Sequence, residues 1–507
     1  MARMKKNCSK CGKSQVLTAF QRNNSAPDGR RTVCAICRNV AKPKRFTRVL
    51  TRKKYLITAA QNGTPVDAKF FDVLLKAAKI MRAELVVIPL RYKNPTSAWT
   101  ASQQNAEWWA KEVEPYLFNV RKKLCANLVL CADVKVQPTA ARPLSGFESL
   151  TGAESCIIGH PKMQFVSVPV PQGRYPKILS TTGACTQKNY TDSKAGKIGA
   201  FHHFLGAVIV EVEGKKFHLR QINADRKDGS FIDLEWRYTQ SGCEKAPPAL
   251  GLVLGDSHAR VTDPKVDRAT FGAGGIVETL KPKELVFHDV IDCETVNPHE
   301  AGNPFLAAAK QRAIRSDVAA EIAHCVRYIN SRAQGRGAVI VDSNHPDFLA
   351  RWILKNDWKF LGARNGEFYL KTALAMLRSA ENTPNGGKYA DPFAYWAKMM
   401  GARGDISFLG PNDSHLIGGI ECGLHGHRGP NGVRGTMHNL ARLGVRVITG
   451  HSHAPGIEEG HYKVGTSTPL RLAYNLGPSS WLNTHCGIYA NGKRSLITII
   501  DGKWRAG

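Results

Sequence analysis

From Ala249 the chain reads ALGLVLGDSHAR, an apolar run that predicts a buried strand ending at Gly255, with Asp256, Ser257 and His258 just beyond it. The pattern recurs downstream. ELVFHDVID predicts a strand beginning near Glu284 and ending on Asp289 and Asp292, and AVIVDSNHPD ends on Asn344 and His345. HLIGGIECGLHGH closes with His425 and His427, and VRVITGHSH with His451 and His453. The C-terminal ends of strands are where open α/β sheets bind ligands. One polar strand end is ordinary, whereas Asp, His, Asp, Asn and several His at successive strand ends are hard to explain by packing alone.

The remaining pattern predicts an α/β chain. KYLITAAQ and AELVVIPLRY read as strands flanking an amphipathic helix over Asp67–Met81, a β–α–β signature. Residues 105–117 look helical, with Trp108 and Trp109 read as core. NLVLCADVKV, AVIVEVE and KFHLRQI are strand-like, and the pair His202–His203 reads as structural. Residues 304–332 form one long helical pattern. Helical stretches at 348–356, 368–379 and 392–400 make an insert before His415 that suits a cap over the site. After His453, LRLAYNLG, GIYANG and SLITIIDGKW read as short strands suiting the second sheet of a sandwich.

Composition changes the picture in two respects. The net charge of +30 calls for a polyanionic partner, nucleic acid before an anionic membrane. With no apolar run long enough for a membrane span and no signal-peptide core at MARMKKNCSK, a cytoplasmic protein without a membrane partner is expected. The thirteen cysteines include Cys8-x-x-Cys11 and Cys34-x-x-Cys37, a spacing that suits one closed structural Zn²⁺ site. Residues 1–54 hold sixteen Lys and Arg against one Asp. Lys42, Lys44, Arg45, Arg48, Arg52, Lys53 and Lys54 are therefore candidate phosphate contacts in a basic tether.

The order Asp-x-His, Asp-x-x-Asp, Asn-His, His, Gly-His-x-His resembles the calcineurin-like binuclear metallophosphoesterases over roughly residues 246–507. The resemblance implies a two-sheet α/β/β/α sandwich in which Asp256, His258, Asp289 and His453 hold one metal. Asp289 as a bridge, with Asn344, His425 and His451, would hold the other, and His345 would act as the acid for the leaving oxygen. His427 is an alternative to His425. Mn²⁺ is the metal the resemblance implies. The sequence departs from the family pattern at His288, where glycine is usual, and at Ser343 and Pro346 around Asn344-His345. The cysteine pairs also resemble small zinc modules that precede nuclease domains in bacteriophage enzymes.

The expected organisation is a four-Cys zinc module at 1–37, a basic linker at 38–54, an α/β domain of unassigned role at 55–245 and the metallophosphoesterase domain at 246–507. The expected function is metal-dependent phosphodiester cleavage of nucleic acid, with DNA favoured. A phosphatase acting on phosphoprotein or nucleotide, and a non-catalytic DNA-binding protein, are the competing readings. Arg428 and Arg434 are further candidates for gripping a phosphate.

Overall fold

Strand side chains alternate between faces, and that alternation inside all-apolar runs sets how the central sheet is buried. The computed structural model describes residues 4–9, 12–38, 45–94, 108–300, 302–313, 315–381, 389–472 and 475–506. Gly251–Val253, Glu284–Phe287, Gly337–Ile340 and Ile406–Phe408 lie side by side as parallel strands. Leu252, Leu285, Phe287, Ala338 and Ile340 enter one apolar layer, and Val253, Val286 and Val341 enter the opposite one. Cover on both faces is why these strands read as continuous apolar runs.

One layer is helical. Val318–Arg332, Pro346–Lys355, Ala363–Glu381 and Pro392–Met399 contribute apolar side chains to it, so the insert helices pack on the sheet's helical side. The long helix expected over 304–332 is instead two, Pro304–Arg312 and Val318–Arg332. Asp317 accepts from the Ala320 N–H and starts the second, a local hydrogen bond that competes with continuing the first.

The other layer faces a ten-stranded sheet. It runs from Leu416–Ile417 through Ile420–Glu421, Val447–Thr449, His461–Lys463 and Gly456–Glu458. It continues through Gln164–Val168, Lys177–Thr181, Ser155–Ile158 and Leu128–Cys131 to Arg121–Cys125. Ile457 pairs opposite Phe165 at the junction, so this sheet runs across the 245/246 division drawn from the sequence. Ile417, Ile420, Ile448 and Ile457 share an apolar cluster with Val253 and Val286 of the first sheet.

The C-terminal strands behave differently from expectation. Asn483–Ile488 and Arg494–Ile499 form a hairpin that joins the first sheet, antiparallel to Gly251–Val253, and so pair the edge that strand would otherwise leave bare. Residues 470–472 and 475–477 form no strand, and 473–474 lie outside the described residues.

Lys54–Gln61 and Glu84–Leu90 are parallel, joined through helix Ala68–Ile80, whose N-terminus Asp67 caps by accepting from the Phe70 N–H. The hairpin Gly206–Glu213/Lys216–Asn223 completes this four-stranded sheet. Part of the helix expected over 105–117 lies outside the described residues. The rest is the 3-10 turn Lys111–Tyr116, with Pro115 lacking the N–H an α-helix needs. The protein is a mixed α/β fold with several sheets. No described helix is long and apolar enough to cross a membrane.

Candidate metal centre

The loops that leave Gly251–Val253 and Glu284–Phe287 remain zipped together after the strands end. Ser257, His258 and Ala259 donate their N–H groups to the carbonyls of His288, Asp289 and Val290. This pairing holds Asp256 and His258 beside Asp289. Four of the expected ligands have left-handed backbone: His258 (φ 43°), Asp289 (41°), His451 (75°) and His453 (57°). Such conformations cost about 1–3 kcal/mol each for non-glycine residues and cluster at functional sites. Gly450 provides the room, since a Cβ there would come 2.1 Å from Oδ1 of Asp256. The Asp256 carboxylate accepts from the His451 N–H at 2.9 and 3.1 Å.

The side chains converge from every expected strand end. Nε2 of His453 is 3.0 Å from Oδ2 of Asp256 and 3.1 Å from Nε2 of His258. Nε2 of His425 is 3.3 Å from Oδ2 of Asp289 and 3.2 Å from Oδ1 of Asn344. Nδ1 of His451 lies 3.0 Å from the same Asn344 oxygen. Asp256, His258 and His453 form one group of mutually close donor atoms, and Asp256, Asp289 and His425 form another. The residue common to both groups is Asp256. Asp289, expected as the bridge, directs Oδ2 to His425 and leaves its buried Oδ1 without a hydrogen-bond partner.

These residues fit divalent metal. His258 Nδ1–H donates to Oδ1 of Asp292 at 2.7 Å, which keeps Nε2 turned toward His453. Four imidazole nitrogens, two carboxylates and an amide oxygen thus face one another at close range, a donor set that suits a divalent cation. The electrostatics point the same way. Burial opposes charge on Asp256 and Asp289, yet the neighbouring histidines hold both carboxyls well below the usual carboxylate range. Burial also opposes a charge on His258, but Asp292, Asp289 and Asp256 carry its pKa up to about 9. Burial and the neighbouring His425 push His288 down to about 3.

His425 and His427 are now distinguished by place. His425 reaches Asp289 and Asn344, while His427 sits beside His425 and His451 with ring centroids 5.4 and 6.1 Å away. Neither His427 nitrogen has a hydrogen-bond partner among the described residues. His345 Nδ1–H donates to the Asp292 carbonyl at 2.9 Å, which aims Nε2 at Oδ2 of Asp289, 3.8 Å away. Asp292, left out of the expected ligand set, touches His258 with its side chain and His345 with its carbonyl. Its spacing from Asp289 in ELVFHDVID was the available signal. Arg428 is engaged by Asp342 at 2.6 Å and Asp347 at 2.8 Å, so its charge is already met; Arg434 is exposed.

At the N-terminus, Sγ atoms of Cys8, Cys34 and Cys37 cluster within ligand distance of one another. The Cys34 N–H points at Sγ of Cys8 (3.3 Å) and the Cys37 N–H at Sγ of Cys34 (3.4 Å), which steadies thiolates for a metal. Cys11, Lys42 and Lys44 lie outside the described residues. The rest of the basic run is not a free tether. Arg48 donates to the Leu85 carbonyl, Arg52 to that of Ala83 at 3.2 Å, and Lys54 pairs with Glu211 at 2.8 Å. Phe46 meets Trp109 edge-on, anchoring the run to the four-stranded sheet's domain. Arg45 and Lys53 remain exposed.

No family model and no solved structure matches the chain. It is similar to Protein A1 of Escherichia phage T5, with 34% identity over 476 residues, spanning 90% of this chain and 83% of that protein.

Proposed function

This chain belongs to the family of Protein A1 of Escherichia phage T5, and we propose that it is a metal-dependent phosphodiesterase that cleaves nucleic acid, DNA above all. The observation that carries this reading is the double cluster at the strand ends: Asp256, His258 and His453 on one side, Asp289, His425, Asn344 and His451 on the other. They come from five separate loops, and a packing role does not require them to meet. The ligand order and the pair of facing sheets support a calcineurin-like metallophosphoesterase sandwich. Mixed carboxylate, amide and imidazole ligation suits Mn²⁺.

Bound divalent ions supply charge neutralisation at an anionic phosphoryl centre and acidify the attacking water. The protein's own residues do the rest. Asp292 fixes the His258 ring so that Nε2 faces the centre. The Asp292 carbonyl fixes the proton of His345 on Nδ1, so a second proton on Nε2 is the one available to a departing oxygen. Oδ2 of Asp289 lies 3.8 Å from that Nε2. The left-handed turns at His451 and His453 direct two imidazoles from one short loop to different members of the cluster.

Nucleic acid as substrate is supported by the net charge of +30 and by the cysteine cluster next to a basic run. The test is incubation of the purified protein with circular duplex DNA, linear DNA and RNA in Mn²⁺, followed on a gel. Cleavage of DNA that disappears in Asp289→Asn is expected. Intact nucleic acid together with hydrolysis of nitrophenyl phosphate monoesters alone would favour a phosphatase and overturn the proposal.

A further inference from the structure

A cavity of about 470 Å³ opens beside the metal centre, within the roughly 300–1,000 Å³ range of small-molecule sites. Trp481 stands between the two: it lines the cavity, and its ring centroid lies 4.1 Å from that of His453. The loop from His258 also runs into the cavity wall, through Thr262, which donates to the Ser257 carbonyl, to Asp263 and Lys265. The chamber is therefore built on the extension of one ligand loop and on a ring that packs against a ligand of another.

Its lining is cationic in a particular way. Arg174, Lys177, Lys265 and Arg471 face it, and none is in an ion pair among the described residues. Lys177 donates to the carbonyls of Glu148 and Gly152, and Arg471 to those of Gly477 and Val170, bonds that position the cations without neutralising them. Of the lining acids, Asp501 is paired with Lys216 and Asp263 caps the helix Pro264–Phe271. Arg174 and Lys265 are exposed at the rim. An aromatic ring at the inner end and uncompensated cations around it suit a flat base carrying a phosphate.

We infer that this cavity is a nucleotide subsite: it takes the base next to the scissile phosphate against Trp481, with Arg174 and Lys265 on the adjoining phosphate. The inference rests on the reading under Proposed function and adds the class of substrate, an unpaired strand, because a base enters the cavity only when it is free of a partner strand. Stacking on an aromatic ring accepts any base, so little base preference is expected.

The test is binding of a fluorescent four-residue oligothymidylate, read by anisotropy without added divalent metal, to wild type, Trp481→Ala, Trp481→Phe and the double variant Arg174→Ser/Lys265→Ser. Trp481→Ala and the double variant are expected to weaken binding by about tenfold, and Trp481→Phe by much less, since a smaller ring still stacks. Turnover in Mn²⁺ supplies the second readout. The double variant should lose about tenfold more on the oligonucleotide than on methyl nitrophenyl phosphate, through KM. Equal affinity of all four proteins, or equal losses on both substrates, overturns the subsite. If wild type binds the oligonucleotide through these residues but hydrolyses no phosphodiester, the subsite stands and the catalytic reading falls.

Discussion

Oδ1 of Asp292 lies 2.7 Å from Nδ1 of His258, and the carbonyl of the same residue lies 2.9 Å from Nδ1 of His345. One residue thus sets the orientation of a proposed metal ligand with its side chain and of the proposed acid with its backbone. Only the first is open to mutation. Asp292→Asn should lower metal affinity or activity about 10- to 100-fold, the range for partners that orient a ligating histidine. Metal titration of the variant, with the rate measured at saturating metal, checks this.

Asp289→Asn should abolish cleavage and reduce the divalent ions bound at the strand-end cluster, while the ion at the cysteine cluster stays. Elemental analysis of wild type is expected to return about three ions, one structural and two catalytic. Wild-type cleavage by Asp289→Asn would remove the residue from the centre and leave Asp256, which joins both groups of donor atoms, as the bridge.

His345→Ala should retain metal and slow cleavage roughly 10²- to 10⁴-fold, the scale of a positioned general acid. A nitrophenyl ester, whose leaving oxygen needs little protonation, should be far less affected. Parallel losses on both substrates would show that His345 does not protonate the leaving group.

Away from the centre, buried Arg220 holds Asp233 at 2.7 Å and Glu211 at 3.0 Å. Arg220→Met leaves buried Asp233 without its cation and Glu211 with Lys54 alone, and should cost about 3–5 kcal/mol, read from the denaturant midpoint. Burial pushes the Glu211 pKa up, but Arg220 and Lys54 outweigh it and hold the value at about 2, below the ordinary 4.5. A depressed carboxylate stabilises the fold above its unfolded pKa. This contribution is therefore full above pH 4.5 and disappears as pH falls toward 2, and the acid limb should be shallower in the variant.

Because Arg48, Arg52 and Lys54 are held by the protein, a deletion meant to test the N-terminal arm should stop before them. Removing residues 1–44 takes away the cysteine cluster with Lys42 and Lys44. If that arm neutralises DNA phosphates, the salt dependence of binding should flatten by a slope of about 0.9 for each phosphate it had covered. An unchanged slope assigns the arm a structural role.

The strand ends were legible because their chemistry departs from their surroundings. Asp256, His258, Asp289, Asn344, His425, His451 and His453 each follow an apolar run, and all converge. Helix Ala68–Ile80 was legible from its period, and Asp67 from its capping role. Pairing between distant segments was not. Nothing local in Gly456–Glu458 specifies Gln164–Val168 as its neighbour, and the C-terminal hairpin carries the same alternation whichever sheet it joins. Charge said least about placement: Arg48 and Arg428, candidate phosphate contacts, each also bond within the protein, to the Leu85 carbonyl and to Asp342.

The antiparallel seam between Gly456–Glu458 and Gln164–Val168 limits how the molecule can be divided. A fragment beginning at residue 246 would carry every proposed ligand of the strand-end metal centre, yet it would expose the outer edge of Gly456–Glu458 as a row of unpaired N–H and C=O groups. Such an edge recruits other chains. Expressed alone, that fragment should precipitate rather than report a weakened enzyme, and adding residues 121–181 as a separate chain should restore solubility by strand complementation. The two stretches are thus one unit of inheritance, to be kept or lost together.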